Sequence, residues 1–293
     1  MIDLPISGVY CAAVTPVTAK LAPDHPAFVA HCRYLLQEGC DGVAMLGTTG
    51  EANSFSTGER KALLEAVIAA DIPADRLLPG TGVAALTETV ELTRHALSLG
   101  VTRVVMLPPF YYKGITDEGL FASYAAIVDR VADARLRIVL YHIPQFSAVP
   151  ITVPVIERLR AHFPGTFIGL KDSSGDFANM EALVQHFLGF SVLAGADPLM
   201  LPLLKQGGAG CITATSNLVA RDLAFIFHHY AEPEHEREVE AAQARVVAAR
   251  ARVSRFAQIA SIKALVGRNT GHPGWRNLRP PLLPLTEAEA AQL

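Results

Sequence analysis

An excess of positive charge, a long apolar run and paired cysteines are all missing from this 293-residue sequence. Its 25 Lys and Arg residues face 28 Asp and Glu residues, which gives a net charge of −3. This balance provides no electrostatic attraction to nucleic acid or to an anionic membrane. No uninterrupted apolar run approaches the ~18 residues that span a bilayer. The N-terminal Met1-Ile2-Asp3 carries none of the basic residues that open a secretory signal.

Disulfide and metal sites also lack support in the sequence. The ten histidines show no HxH or HExxH spacing, so we expect no metal site. His228 and His229 lie in a helical stretch, where a solvated or packed pair is the simpler interpretation. The cysteines form no CxxC pair, which favours reduced, buried thiols in a cytoplasmic protein. They are scattered at Cys11, Cys32, Cys40 and Cys211.

Short β-branched runs alternate with amphipathic helical patterns as far as residue 231. Eight of these pairs within ~230 residues favour a (β/α)8 TIM barrel over an open doubly wound sheet. The runs are apolar on both faces, as parallel strands covered by helices must be. No GxGxxG follows the first strand, which disfavours dinucleotide binding. The predicted strands cover residues 8–14, 42–46, 77–81, 103–107, 137–141, 167–171, 191–194 and 210–212.

The alternation stops after residue 231. Residues 234–267 are helical in pattern and rich in Ala, Arg and Glu, and residues 269–284 are rich in Gly and Pro. A stretch of ~60 residues with few large apolar side chains makes a poor core of its own. We therefore predict a barrel over residues 1–231. We predict that residues 232–293 add C-terminal helices that pack on this barrel or on a neighbouring subunit.

Lys171 ends the sixth predicted strand, at the face where a parallel barrel builds its active site. The chain has only six lysines against nineteen arginines, so a lysine at this place indicates that amine chemistry is needed. Burial of an ammonium group favours the neutral amine, which is a nucleophile that condenses with ketones. The alternative is a lysine whose chain extends to solvent at the barrel rim.

Three further strand ends carry candidate groups. Tyr141 ends the fifth strand, where its phenol either relays protons or is an ordinary core tyrosine. Gly47-Thr48-Thr49-Gly50-Glu51 follows the second strand, and its amides and hydroxyls suit a carboxylate, although a tight turn explains it equally well. Pro108-Pro109-Phe110-Tyr111-Tyr112-Lys113 follows the fourth strand. Three alternative roles are open for its aromatic residues: they cover a site, they reach across a subunit boundary, or they pack on the surface.

Together these motifs resemble the dihydrodipicolinate synthase / N-acetylneuraminate lyase family of Schiff-base class I aldolases. The loop at 47–51 matches the family's GTTGE motif, and Tyr141-His142-Ile143-Pro144 matches its Y-x-x-P. Gly169-Leu170-Lys171-Asp172 matches the strand end that carries the Schiff-base lysine. Gly195 and Ile212 fall where the family lines the pyruvate pocket with main chain. The similarity extends over essentially the whole chain.

The resemblance implies a lyase that needs no metal and no cofactor, because Lys171 itself forms an imine with pyruvate or another 2-oxo acid. It further implies that Thr48 and Thr49, beside Gly47, hold the carboxylate of this acid. Tyr141 is implied to be the general acid/base.

The resemblance also implies a homo-oligomer, either a tetramer or a dimer. Tyr112 resembles the tyrosine that, in the synthase branch, crosses from a partner subunit to complete a Thr–Tyr–Tyr proton relay. Tyr111 is the alternative, because the aromatic run aligns in more than one way.

Phe146 departs from the synthase pattern. Synthases usually carry Arg two residues after the Pro of Y-x-x-P, where it pairs with the carboxylate of aspartate semialdehyde. Replacing that cation by an apolar ring weakens the binding of an acidic aldehyde. We therefore expect a pyruvate aldolase that cleaves or forms a 2-oxo-3-deoxy sugar acid or a 4-hydroxy-2-oxo acid. The synthase itself, a sugar-acid dehydratase and a non-catalytic 2-oxo-acid-binding barrel stay open as alternatives.

Overall fold

Parallel strands form a nearly closed barrel in this structure, a computed structural model that describes residues 5–293. The expectation that Met1-Ile2-Asp3 does not open a secretory signal concerns residues that lie outside the described range. The strands run side by side in the order β2-β1-β7-β6-β5-β4-β3. This architecture confirms the prediction of a TIM barrel with C-terminal helices. Within residues 5–293 the seven strands are β1 Gly8–Ala12, β2 Gly42–Ala44, β3 Arg103–Met106, β4 Arg137–His142, β5 Phe167–Asp172, β6 Ser191–Ala194 and β7 Gly210–Thr213.

Residues 77–81, which we predict as the third of eight strands, close the gap between β2 and β3 without forming a regular strand. Isolated parallel bridges join this segment to Val43 of β2 and to Val105 of β3. Two of its amides donate to carbonyl oxygens on the β2 side. On the β3 side, Pro79 has no N–H to donate, so one ladder bond is missing. The prediction of a full strand here is therefore wrong, although the segment fills the one place in the barrel that the seven strands leave open.

Helices cover the outside of the barrel, and several begin or end as their sequences predict. Ser56 forms a capping box with Glu59 at the start of α2. Gly39 and Gly100 adopt positive φ directly after α1 and α3. No helix of the described chain combines the length and the apolar character that crossing a membrane requires. The helices are α1 His25–Gln37, α2 Thr57–Ala69, α3 Leu86–Ser98, α4 Asp117–Val131, α5 Pro144–Ser147, α6 Val153–His162, α7 Phe177–His186, α8 Met200–Lys205, α9 Ser216–His229, α10 Glu236–Val253, α11 Gln258–Thr270 and α12 Glu287–Ala290.

Alternate residues of each strand divide between two buried clusters. On β1, Val9 and Cys11 belong to the large cluster between strands and helices, whereas Tyr10 and Ala12 belong to a second one. The second cluster fills the barrel interior, because successive side chains of a strand point to opposite faces. Its members are Ile6, Tyr10, Ala12, Ala44, Leu78, Val105, Val139, Tyr141, Ile143, Ile168, Leu193, Ala209 and Ile212.

The C-terminal helices pack against the barrel of the same chain. Val14 and Ala214 from the barrel share a third buried cluster with Val253, Ile262 and Trp275 from the C-terminal segment. The two segments thus bury apolar surface together, and the boundary at residue 231 stays a prediction about folding units.

Candidate active site

Lys171 and Tyr141 are register partners on the neighbouring strands β5 and β4. Register partners in parallel strands point to the same side of a sheet, so both side chains enter the barrel. The Lys171 Nζ atom lies 4.2 Å from the centroid of the Tyr141 ring. Only 6% of Lys171 and 4% of Tyr141 are exposed. Lys171 is therefore an interior lysine and does not extend to solvent at the rim.

A bulge in β5 gives Lys171 this orientation. The register of β4 against β5 shifts by one residue at Ile168, whose side chain already lies in the interior cluster. Strict alternation from Ile168 would turn Lys171 outward, and the extra residue turns it back inward. A Cβ atom on Gly169 would lie 2.4 Å from the carbonyl oxygen of Ser191, so only glycine fits beside the bulge.

Thr48 reaches Tyr141 from the loop that follows β2. The Tyr141 hydroxyl donates to Thr48 Oγ1 at 3.4 Å. The loop is tightly folded, since the Glu51 amide donates to the Thr48 carbonyl at 3.1 Å. The Thr15 hydroxyl donates to the Gly50 carbonyl at 2.9 Å. These bonds hold the loop hydroxyls against the end of β4.

A cavity of about 20 Å³ lies between this loop and Tyr141, with Gly47, Thr48 and Asn53 in its wall. The volume is roughly what one water molecule needs. A Cβ atom built on Gly47 meets nothing within 4 Å, so the glycine leaves open space on one side of the loop. Thr49 is half-buried next to it.

The pKa of the Tyr141 phenol is lower than the ordinary value for tyrosine. Burial alone would raise it, but the charge of Lys171 lowers it, as do hydrogen bonds with Thr48, Ser173 and Lys171. The cation and the hydrogen bonds together outweigh the loss of solvation. A phenol in this setting gives up its proton more readily than one in water.

Glu51 anchors the same loop to the C-terminal helix α11. Its Oε1 atom accepts from Lys263 Nζ at 2.5 Å, and both side chains are fully buried. Burial lowers the pKa of Lys263, although Glu51 opposes that shift. Glu51 also adopts φ 56°, a left-handed conformation that costs a non-glycine residue free energy. The buried ion pair therefore holds a strained residue at the end of the GTTGE motif.

Sequence reasoning missed this ion pair. The available signals are a lysine inside the apolar stretch of residues 259–266 and a carboxylate within the 47–51 motif. Neither feature of the sequence identifies the residue with which it pairs.

The residues that follow Lys171 hold the end of β5 in place. The buried Asp172 carboxylate accepts from the Asn179 side-chain amide at 2.7 Å. The Gly195 amide donates to the Asp172 carbonyl at 2.7 Å. A Cβ atom on Gly195 would lie 2.0 Å from Ser173 Oγ, so this position requires glycine. Ser173, whose side chain helps to lower the pKa of Tyr141, was not among the predicted site residues.

The other predicted residues divide into one interior residue and an exposed group. Ile212, on β7, is buried in the barrel interior. Tyr111 and Tyr112 are 72% and 73% exposed, with their rings packed edge to face 5.4 Å apart. Phe146, on the short helix α5, is 70% exposed. The chain thus brings Lys171 and Tyr141 together with Thr48, whereas the exposed aromatic residues point away from its core.

The chain is similar to known proteins over nearly its whole length. The sequence model of the Dihydrodipicolinate synthetase family matches residues 5–293. An uncharacterized DapA-like lyase of Chloroflexus aurantiacus is 39% identical over 291 residues, which cover 98% of this chain and 94% of the relative. A 4-hydroxy-tetrahydrodipicolinate synthase of Rhizobium meliloti is 35% identical over 211 residues, with 72% and 70% of the two chains covered.

A solved structure gives the same result. The crystal structure of dihydrodipicolinate synthase from Agrobacterium tumefaciens str. C58 matches with a TM-score of 0.86 and 30% sequence identity, covering 97% of this chain and 96% of that chain. These matches confirm the resemblance inferred from the motifs and the prediction that the protein is a lyase of this kind. The chain belongs to the dihydrodipicolinate synthetase family.

Proposed function

We propose that this protein is a pyruvate-dependent class I aldolase that reversibly cleaves or forms a 2-oxo acid through an imine on Lys171. The observation that carries the proposal is the buried contact between the Lys171 amine and the Tyr141 ring, 4.2 Å apart, with Thr48 bonded to the same phenol. An amine and a proton donor in one solvent-poor site are what imine chemistry requires.

In the cleavage direction, the amine of Lys171 adds to the C2 carbonyl, and loss of water gives a protonated imine. This iminium accepts the electron pair of the C3–C4 bond as the aldehyde leaves, so an enamine forms in place of an unstabilised carbanion. Tyr141 donates its proton to the departing hydroxide as the imine forms, and the resulting phenolate takes the proton from the C4 hydroxyl as the C3–C4 bond breaks. Protonation of the enamine at C3, followed by hydrolysis, releases pyruvate and restores the lysine.

The remaining residues bind the two halves of the substrate. Thr48 and Thr49 hold the pyruvate carboxylate with hydroxyls and backbone amides, and the open space at Gly47 admits it. The main chain at Gly195 and Ile212 lines the other side of the pyruvate pocket. Since the imine itself is the electron sink, the reaction needs neither a metal ion nor a cofactor.

The presence of Phe146 supports an aldehyde substrate that carries no carboxylate of its own. Its ring stands at the position where the synthases carry a cation, two residues after Pro144, and it is largely exposed. We therefore assign a 2-oxo-3-deoxy sugar acid or a 4-hydroxy-2-oxo acid as the substrate. The cysteines are buried and free, which supports a reducing, cytoplasmic location.

One observation favours the synthase reaction as a second candidate. Lys113 Nζ donates to the Ser147 carbonyl at 3.2 Å, so the Lys113 cation contacts the short helix that carries Phe146. In the synthase reaction, this amine would pair with the carboxylate of aspartate semialdehyde. A screen for pyruvate release from 2-oxo-3-deoxy acids, run beside condensation of pyruvate with aspartate semialdehyde, separates the two candidates.

Borohydride trapping tests the imine. Incubation with pyruvate and borohydride should add one reduced pyruvyl group, and peptide mapping should place it on Lys171. Lys171→Ala should abolish both the adduct and the turnover. Lys205→Ala is the matched control, because Lys205 is an exposed lysine at the end of α8, and it should behave as wild type. An adduct on another lysine, or normal turnover of Lys171→Ala, would refute the proposal.

A further inference from the structure

His229, Glu232 and His235 converge at the turn where the chain leaves the barrel. His229 is the last residue of α9, and His235 directly precedes α10. One potential ligand atom of each residue lies within 4.8 Å of the other two. The His229 Nδ1 atom is 2.5 Å from Glu232 Oε2, and His235 Nε2 is 3.6 Å from the same oxygen. The polar atoms of these three side chains therefore lie close to one point.

Packing holds the two imidazoles in this arrangement. Their ring centroids are 4.4 Å apart, and both rings contact Phe225 on the preceding turn of α9, at 4.6 Å and 5.9 Å. The three ligand side chains keep about a third to a half of their surface exposed. This packing keeps the three ligand side chains close to one point, where the hydrogen bond between His229 and Glu232 opens to admit an ion and water completes the coordination.

The donor set selects the kind of ion. Two neutral imidazole nitrogens and one carboxylate oxygen suit Zn²⁺ and its neighbours among the transition metals, whereas Mg²⁺ and Ca²⁺ prefer all-oxygen sites. A hydrogen bond joins His229 Nδ1 to Glu232 Oε2. The His229 proton in that bond leaves when a metal ion takes its place.

We propose that His229, Glu232 and His235 form a binding site for a divalent transition-metal ion, with Zn²⁺ as the best fit. The bound ion joins the end of α9 to the start of α10, that is, the barrel to its C-terminal extension. The site is separate from the aldolase chemistry and is structural. Its failure would leave the proposed function unaffected.

Zinc titration of the full-length, tag-free protein tests the site. Calorimetry at pH 7.5, after EDTA treatment and dialysis, should show one saturable Zn²⁺ site per chain and none for Mg²⁺. Zinc at about ten times the dissociation constant should raise Tm by about 3 °C. Glu232→Gln and His235→Asn should each weaken zinc binding by more than about 100-fold and abolish the Tm shift.

Matched controls lie within the same turn. His228→Asn removes the exposed neighbour of His229, and Glu234→Gln removes an exposed acid two residues from Glu232. Both variants should bind zinc as the wild type does. Circular dichroism in EDTA checks that every variant is folded. The absence of saturable binding would overturn the proposal, as would an equal loss of affinity in the control variants.

Discussion

Two buried tyrosines show how position decides what a phenol can do. Tyr124 lies in the outer core, donates to the Met106 carbonyl at 3.4 Å, and has its pKa raised by burial. Tyr141 is also buried, yet its pKa is lowered, because the Lys171 charge and the polar side chains around the phenol, Thr48 among them, outweigh burial. Only the second phenol is suited to move protons near neutral pH.

Tyr141→Phe tests this difference. Loss of a general acid/base lowers the rate by about 10²–10⁴-fold, so we expect a fall of this size in kcat/KM for pyruvate release. Tyr124→Phe removes the same atom from an equally buried ring and should leave kcat/KM unchanged. In the wild type, kcat should fall at alkaline pH, since ionisation removes the proton that Tyr141 donates, and this limb should begin below the ordinary pKa of tyrosine. Equal kinetic losses in both variants would contradict the assigned role.

At the scale of elements, the GTTGE loop is held by a helix that lies far away in the sequence. Glu51 and Lys263 are 212 positions apart, and their ion pair is inaccessible to solvent. The Arg279 side chain adds a second connection from the C-terminal segment, through its ion pair with Glu59 at the start of α2. The loop that carries Thr48 therefore depends on residues outside the barrel.

Breaking the buried pair should destabilise the protein strongly. Lys263→Met leaves the Glu51 carboxylate buried without its partner, which costs about 3–5 kcal/mol of unfolding free energy. The loop then relaxes, and KM for pyruvate should rise. Lys61→Met breaks the exposed pair of Lys61 with Glu91 and should cost less than about 1 kcal/mol. Urea denaturation measures both variants.

The double variant Lys263→Met/Glu51→Gln controls for the lost lysine packing. It removes the unpaired charge, so it should recover part of the stability that the single variant loses. If Lys263→Met were no more destabilising than Lys61→Met, the ion pair would not be what holds the loop.

The elements themselves could largely be predicted from the sequence, because burial on two faces and helical periodicity are local signals. Partners could not. The bulge at Ile168 that turns Lys171 inward depends on the register against β4, and the segment at 77–81 loses its strand character through a single missing amide at Pro79. Periodicity likewise marks Lys263 as lying on an apolar stretch, but nothing local identifies Glu51 as its partner.

At the scale of the whole molecule, a single chain brings together only part of the predicted proton relay. Lys171, Tyr141 and Thr48 meet inside the barrel, while Tyr111 and Tyr112 project from the loop after β3 with nearly three quarters of their surface exposed. Exposed adjacent aromatic rings are typical of protein interfaces. We propose that this loop contacts a second copy in a dimer or tetramer and that Tyr112 completes the relay there.

Subunit mixing tests this arrangement directly. Lys171→Ala and Tyr112→Phe should each be nearly inactive alone, whereas a mixed oligomer contains sites with an intact Lys171 from one protomer and an intact Tyr112 from the other. Unfolding the two variants together and refolding them should restore about a quarter of the wild-type activity in a symmetric dimer, because half of the dimers are mixed and one of their two sites is intact. Tyr111→Phe serves as the matched control and should stay active alone. Sedimentation of a monomer at assay concentration, or no recovery on mixing, would show that the relay does not cross between subunits. Recovery with Tyr111→Phe in place of Tyr112→Phe would assign the crossing residue to Tyr111, because only the residue that reaches the partner site can be supplied by the other chain.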